Sequence, residues 1–321
     1  MRILSGIQPS GKLHIGNYLG AIRQHIAMQE EGEAYYFIAD FHALTTIRDA
    51  PVLRQMILDV ALDYLALGLD PNKATFYRQS DIPDVTELTW LLTTVTPMGL
   101  LERCHSFKDK TARGISADHG LFAYPVLMAA DILIVDANIV PVGKDQKQHV
   151  EVTRDIAQRF NHVYDREVFI IPEDRIHVDT GVVPGIDGQK MSKSYGNDIG
   201  IFTEGKALKQ KVMSIVTDSA PVEEPKDPDT NNVFNILRLF APEEETAEWR
   251  ERFTAGGLKY VEVKKRLKEL LDERFGEARE RRKELAKRPD DVEDVLREGC
   301  RRAREVTSAT LARAREACGI D

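Results

Sequence analysis

Cysteine is scarce and oddly numbered: three in 321 residues, Cys104, Cys300 and Cys318, with no Cys-x-x-Cys spacing. Such a set argues against a disulfide scaffold, a zinc site or an iron–sulfur cluster, so reduced thiols are expected. Long apolar runs are missing too. No uninterrupted stretch approaches the ~20 residues of a membrane-spanning helix, and no basic segment followed by a hydrophobic stretch and cleavage site opens the chain. The expectation is a cytoplasmic protein with no membrane partner. An excess of positive charge is also absent, with 44 Lys and Arg against 52 Asp and Glu and a net charge of −8. That balance is unpromising for a nucleic-acid binder, but the acidity is local. Residues 201–321 hold 25 basic and 26 acidic side chains, and Lys259 to Arg288 hold 12 basic against 7 acidic. A local basic stripe can bind phosphate on an acidic molecule, although the same run can equally be a solvated helix face.

What the chain does have is a globular composition, 42% hydrophobic and 30% charged, and enough length for two domains. Up to about residue 186 short β-branched or aromatic runs alternate with helical patterns. Ile3 to Ile7, Ala34 to Ala39, Ala74 to Tyr77 and Ile139 to Val142 read as strands, and Val52 to Leu67 as a helix. This alternation predicts an α/β fold with a Rossmann-like parallel sheet, whose ligands bind beyond the carboxyl ends of the strands. Gln8 and Ser10, Asp40 and His42, and Gly143 to Gln146 fall at such ends. From about 203 the pattern is helical. Val263, Leu267, Leu270, Leu271, Phe275 and Ala278 recur at helical spacing, and Asp290 to Leu311 reads as a long terminal helix, possible return cover for the first domain. The expected division is a catalytic domain over 1–202 and an all-helical C-terminal domain over 203–321.

Two segments stand out. Gln8-Pro-Ser-Gly-Lys-Leu-His-Ile-Gly-Asn17 follows the first strand and runs into a helix pattern at Tyr18, a turn whose backbone N–H groups and helix end suit a phosphate. Gly11 and Gly16 allow close approach of a flat base or a phosphate, and His14 adds a donor. Far downstream, Lys190-Met-Ser-Lys-Ser194 carries two lysines three apart in a serine-flanked loop, suited to a charge that moves during reaction. Either segment alone could be an ordinary turn or a solvated loop; together they point to nucleotide chemistry.

Phe122 to Val135 holds one carboxylate, Asp131, in an apolar stretch. Burying it is costly without a partner, so it is either a cap, an exposed helix edge, or an acceptor for a substrate packed against Met128 and Ile132. An indole N–H or a phenol hydroxyl would satisfy it. Gly143-Lys-Asp-Gln146 offers Asp145 for ribose hydroxyls and Gln146 for an amino acid's polar end. His42 and His149, with no metal-ligand spacing nearby, read as structural, and no serine stands in a nucleophile-elbow motif.

The pairing of His14-Ile-Gly-Asn17 with Lys190-Met-Ser-Lys-Ser194 resembles the signatures of class I aminoacyl-tRNA synthetases. Asn17 in place of a final His, inside Gly-Ile-Gln-Pro-Ser-Gly, looks like the tryptophanyl branch, as does Tyr124-Pro-x-Leu-Met-Ala-Ala-Asp131. The resemblance implies activation of L-tryptophan with ATP and Mg²⁺ and transfer to tRNA(Trp) by a homodimer, the helical domain reading the anticodon. It implies that Gln8, Pro9, Ser10, His14, Gly16 and Asn17 hold adenosine and phosphate, with Gly143, Lys144, Asp145 and Val183 at the nucleoside. Lys190, Met191, Ser192, Lys193 and Ser194 would form the mobile phosphate loop. Gln8, Lys110, Lys190 and Lys193 would assist catalysis, and Asp131, Tyr124, Met128, Ile132 and Gln146 would hold tryptophan. A tyrosyl enzyme and a tRNA-binding paralogue without activity are the rivals.

Overall fold

Arg2–Ile7 forms β1, and its apolar residues Ile3, Leu4 and Ile7 are buried, as expected for a strand covered on both faces. The computed structural model describes residues 1–104, 107, 118–143, 146–176 and 182–320. Four further strands, β2 (Glu33–Ile38), β3 (Ala74–Arg78), β4 (Ile139–Val142) and β5 (Glu173–Ile176), complete a sheet of order β3-β2-β1-β4-β5. All pairs are parallel, with β1 in register from Arg2 opposite Glu33 to Ile7 opposite Ile38. This is the Rossmann-like order. The chain leaves β1 toward β2 on one side and returns to β4 on the other, so a crevice opens beyond Ile7 and Val142.

Helices clothe the sheet. Ala50–Leu67 is started by Asp49, whose side chain accepts from the Val52 N–H, and stopped by Gly68 in the left-handed region at φ 111°. His119–Ile134 packs against Asp84–Val95 and Lys147–Val163, and buries Val126, Ala129, Ala130, Ile132 and Leu133. No helix among the described residues is long and apolar enough to cross a membrane.

The last helix, Pro289–Cys318, lies against β3, an outer strand. Arg302 donates to the Ala74 carbonyl at 3.0 Å and Thr307 to the Asp84 carboxylate at 3.0 Å. Gly299 makes the approach possible, because a Cβ there would lie 1.8 Å from the Phe76 carbonyl oxygen. Gly299→Ala should therefore lower unfolding free energy by about 2–4 kcal/mol. Gly276→Ala, where a Cβ meets open space inside a helix, should raise it by roughly 0.5–1 kcal/mol. Urea melts of both variants check this; equal small effects would contradict the close packing.

Two compact units emerge, and they do not follow a linear cut at residue 202. The first comprises residues 1–11, 24–178 and 285–321; the second comprises 12–23 and 179–284. The terminal helix thus belongs with the sheet, and it runs beyond the expected Leu311 to Cys318. In the second unit Tyr260–Ala286 buries Val263, Leu267, Leu270, Leu271 and Phe275 as its periodicity predicts, but Arg279 is buried in addition. The Arg279 guanidinium donates to the Ile201 carbonyl and to Asp272. Tyr18 meets Phe275 edge-on at 5.0 Å between ring centroids, which anchors the early segment in this unit.

Candidate active site

In the first unit a cavity of about 360 Å³ opens at the carboxyl ends of β1 and β4. Small-molecule sites span roughly 300–1,000 Å³. Its apolar wall includes Phe37, Met128, Ile132 and Val142, and its polar lining includes Gln8, Tyr124, Asp131 and Gln146. Tyr124, Met128, Asp131, Ile132 and Gln146, the residues named from the sequence as a substrate set, all line this one cavity.

Asp131 is 3% exposed. The Gln79 amide nitrogen donates to both of its oxygens at 2.8 Å, and His42 Nε2 stands 2.9 Å from Oδ2. Burial pushes the Asp131 carboxyl above its ordinary range, while the bonds from His42 and Gln79 act the other way. With donors converging on both oxygens, the ionised form fits the network. Gln79 is itself fixed, because its Oε1 accepts from the Phe41 N–H at 3.1 Å, which also sets which way the amide faces. Asp40 completes the frame by accepting from Ser80 and from the Phe41 N–H. Tyr124 Oη meets His149 Nε2 at 3.1 Å, and its ring stands edge-on to His42.

The second unit holds His14-Ile-Gly-Asn17 and Lys190 to Ser194, while Gln8 to Gly11 belong to the first unit. Ile15 N donates to the Ile199 carbonyl at 3.0 Å and Ile201 N to the Leu13 carbonyl at 3.1 Å, so the His14 turn is stitched to the chain just after the lysine loop. His14 caps the turn: its Nδ1 accepts from Asn17 N, while Asn17 Oδ1 accepts from His14 N. Nδ1 is therefore an acceptor and the proton sits on Nε2, free to be offered to a ligand. Burial and then the nearby Lys193 charge hold the His14 imidazole down, to about 4, so it is neutral at pH 7. Gly16 is bare for a local reason: a Cβ would lie 2.9 Å from His14 Nδ1. The helix expected from Tyr18 is present and begins three residues earlier, running as Ile15–Asn17, a π-helical stretch at Tyr18–Ile22 and Arg23–Met28. Across the loop, the Val183 carbonyl accepts from Met191 N at 2.9 Å, and Pro184 pairs with Lys190. Lys190 is exposed, Lys193 opens a 3₁₀ turn to Tyr195, and the Ser192 and Ser194 hydroxyls bond each other at 2.8 Å.

The family described as tRNA synthetases class I (W and Y) matches residues 1–276. A tryptophan–tRNA ligase from Rhodopirellula baltica is 56% identical over 321 residues, with all of both chains covered. One from Fusobacterium nucleatum is 54% identical, covering 99% of this chain and 98% of its own. The solved tryptophanyl-tRNA synthetase of Campylobacter jejuni, complexed with ADP and tryptophan, matches with a TM-score of 0.93 at 49% identity, covering 99% of this chain and 100% of that one. The chain belongs to the tryptophan branch of the class I tRNA synthetases.

One partner of Asp131 escaped the sequence reading, and two histidines were given only a structural role there. Gln79 was not singled out, and His42 and His149 were read as structural, yet His42 and His149 line the cavity and Gln79 supports Asp131 from behind. The signal available for Gln79 was position, since it follows β3 at the carboxyl edge of the sheet, as His42 follows β2. Lys110, Lys144 and Asp145 lie outside the described residues. Among the described residues no group of three or more His, Cys, Asp or Glu side chains could hold a metal ion.

Proposed function

We propose the following division of roles for the ligase reaction on this chain: L-tryptophan and ATP give tryptophanyl-adenylate and pyrophosphate, and the aminoacyl group then passes to the 3′ end of tRNA(Trp). The observation that carries it is Asp131, a buried acceptor on the wall of an otherwise largely apolar cavity. An indole has that chemistry, an apolar body with one N–H donor. Met128 and Ile132 pack its faces, and Tyr124 and Gln146 meet its amino-acid end. Gln8, Pro9, Ser10, His14, Gly16 and Asn17 hold adenosine and phosphate, the neutral His14 offering Nε2–H. Gly143, Lys144, Asp145 and Val183 serve the nucleoside.

No protein nucleophile is needed. The tryptophan carboxylate attacks the α-phosphorus, the bond from that phosphorus to the β-bridging oxygen breaks, and the electron pair leaves with pyrophosphate. Lys190 and Lys193, carried by the loop that Met191, Ser192 and Ser194 complete, meet the growing charge, with Lys110 and Gln8 assisting. The ATP phosphates, rather than the described side chains, would hold Mg²⁺, because their oxygens and water suit that ion, and it would offset part of their charge.

The helical part from residue 203 reads the anticodon. Much of the basic stretch there is engaged locally: Arg266 pairs with Glu245 and Glu273, Lys268 with Asp272, and Lys283 with Glu204 and Glu280. The working enzyme is a cytoplasmic homodimer, a reading supported by large apolar side chains left exposed on the first unit, Trp90 at 67% and Met98 at 63%. The test is Mg²⁺-dependent ATP–pyrophosphate exchange without tRNA. Tryptophan should support exchange and tyrosine should not; exchange with tyrosine would overturn the role given to Asp131.

A further inference from the structure

We propose that Asn197 is the positioning residue that sets the backbone of the lysine loop, a proposal that rests on the role just given to Lys190 and Lys193. Asn197 is 2% exposed, and nothing in the signature itself includes it. Its Oδ1 accepts from Ser192 N at 2.8 Å, and its Nδ2 donates to Asp187 Oδ1 at 2.8 Å and to the Lys190 carbonyl at 3.2 Å. Its main-chain carbonyl accepts from Ile186 N at 2.9 Å. One amide thus grips the loop on both sides of Met191, at the main chain of the first lysine and at the residue preceding the second.

Neighbouring residues are shaped around this amide. A Cβ on Gly185 would fall 2.4 Å from the Asn197 carboxamide, so a bare residue is required above it. Asp187 is held in turn, its Oδ1 also accepting from Gln189 N at 3.0 Å. The donor and acceptor pattern selects asparagine. An aspartate at 197 could still accept from Ser192 N, but it would set a second acceptor against Asp187 and the Lys190 carbonyl. The lysine ammonium groups are long-stemmed and cannot fix their own origin; a shift of about 1 Å at the backbone can cost on the order of 10²-fold in rate.

The experiment is ATP–pyrophosphate exchange on the full chain for wild type, Asn197→Ala, Asn197→Asp, Lys193→Ala and the Asn197→Ala/Lys193→Ala double variant, each first checked for folding by a urea melt. Each Asn197 variant should lower kcat by roughly 10–100-fold, with the KM for tryptophan within about twofold. In the Lys193→Ala background the same alanine should cost clearly less than in wild type, because of the two lysines it positions only Lys190 remains. A double variant that loses the full product of the two single effects, or a tryptophan KM that rises as kcat falls, would make Asn197 a structural residue only. Normal exchange by Lys193→Ala would instead remove the role of the lysine, an outcome separable from failure of Asn197 alone.

Discussion

Asp131→Ala should lower kcat/KM for tryptophan in the exchange reaction by about 100-fold or more. A hydrogen bond to a buried charged group contributes about 1.5–3 kcal/mol, and sites built around such a group reject ligands lacking the partner still more strongly. The variant also leaves the Gln79 amide and His42 without their shared acceptor, so some loss of stability accompanies it. The recognition effect is isolated with the tryptophan analogue in which sulfur replaces the indole N–H. Wild type should strongly prefer tryptophan over this analogue, and Asp131→Ala should nearly lose the preference. If the variant kept it, the indole N–H would be read elsewhere.

Lys193→Ala should lower the exchange kcat by about 10²–10³-fold while the KM for tryptophan stays within about twofold. Removing one donor aimed at developing charge has that magnitude, and a group that acts only on that charge leaves ground-state binding alone. An independent reading comes from His14. Its imidazole is held down to about 4 first by burial and then by the Lys193 charge, so deleting the ammonium should let it titrate at higher pH in NMR. Unchanged exchange would remove the lysine from the chemistry. An unmoved His14 titration would remove it from the turn.

Strands β1 to β4 were legible because strands of a covered parallel sheet are apolar runs. β5 was not, since Glu173-Asp-Arg-Ile176 is an outer strand with polar side chains and carries no such signature. Asp131 announced itself as the single carboxylate in an apolar helix, and the cavity gathers the residues named around it. Its partners did not. The His42 contact spans 89 residues, and local pattern has no access to a pairing of that separation. Residues 12–23 are tied to the second unit by backbone hydrogen bonds at Ile15 and Ile201 and by Tyr18 against Phe275, partners too far away in sequence for local pattern to reveal. Gly299 reads as an unremarked helix interior until the Phe76 carbonyl is seen beneath it.

The packing of the final helix on β3 also sets a schedule for synthesis. Thr307 follows its partner Asp84 by 223 residues. At about 5–20 residues per second, β3 leaves the ribosome on the order of 10–45 s before the helix that covers it exists. For that interval a buried strand of the finished sheet is an open outer strand, the kind of surface on which a neighbouring nascent chain can pair. The sheet begins first and is closed last, so folding helpers would matter most for chains still waiting for the thirty residues of the Pro289–Cys318 helix.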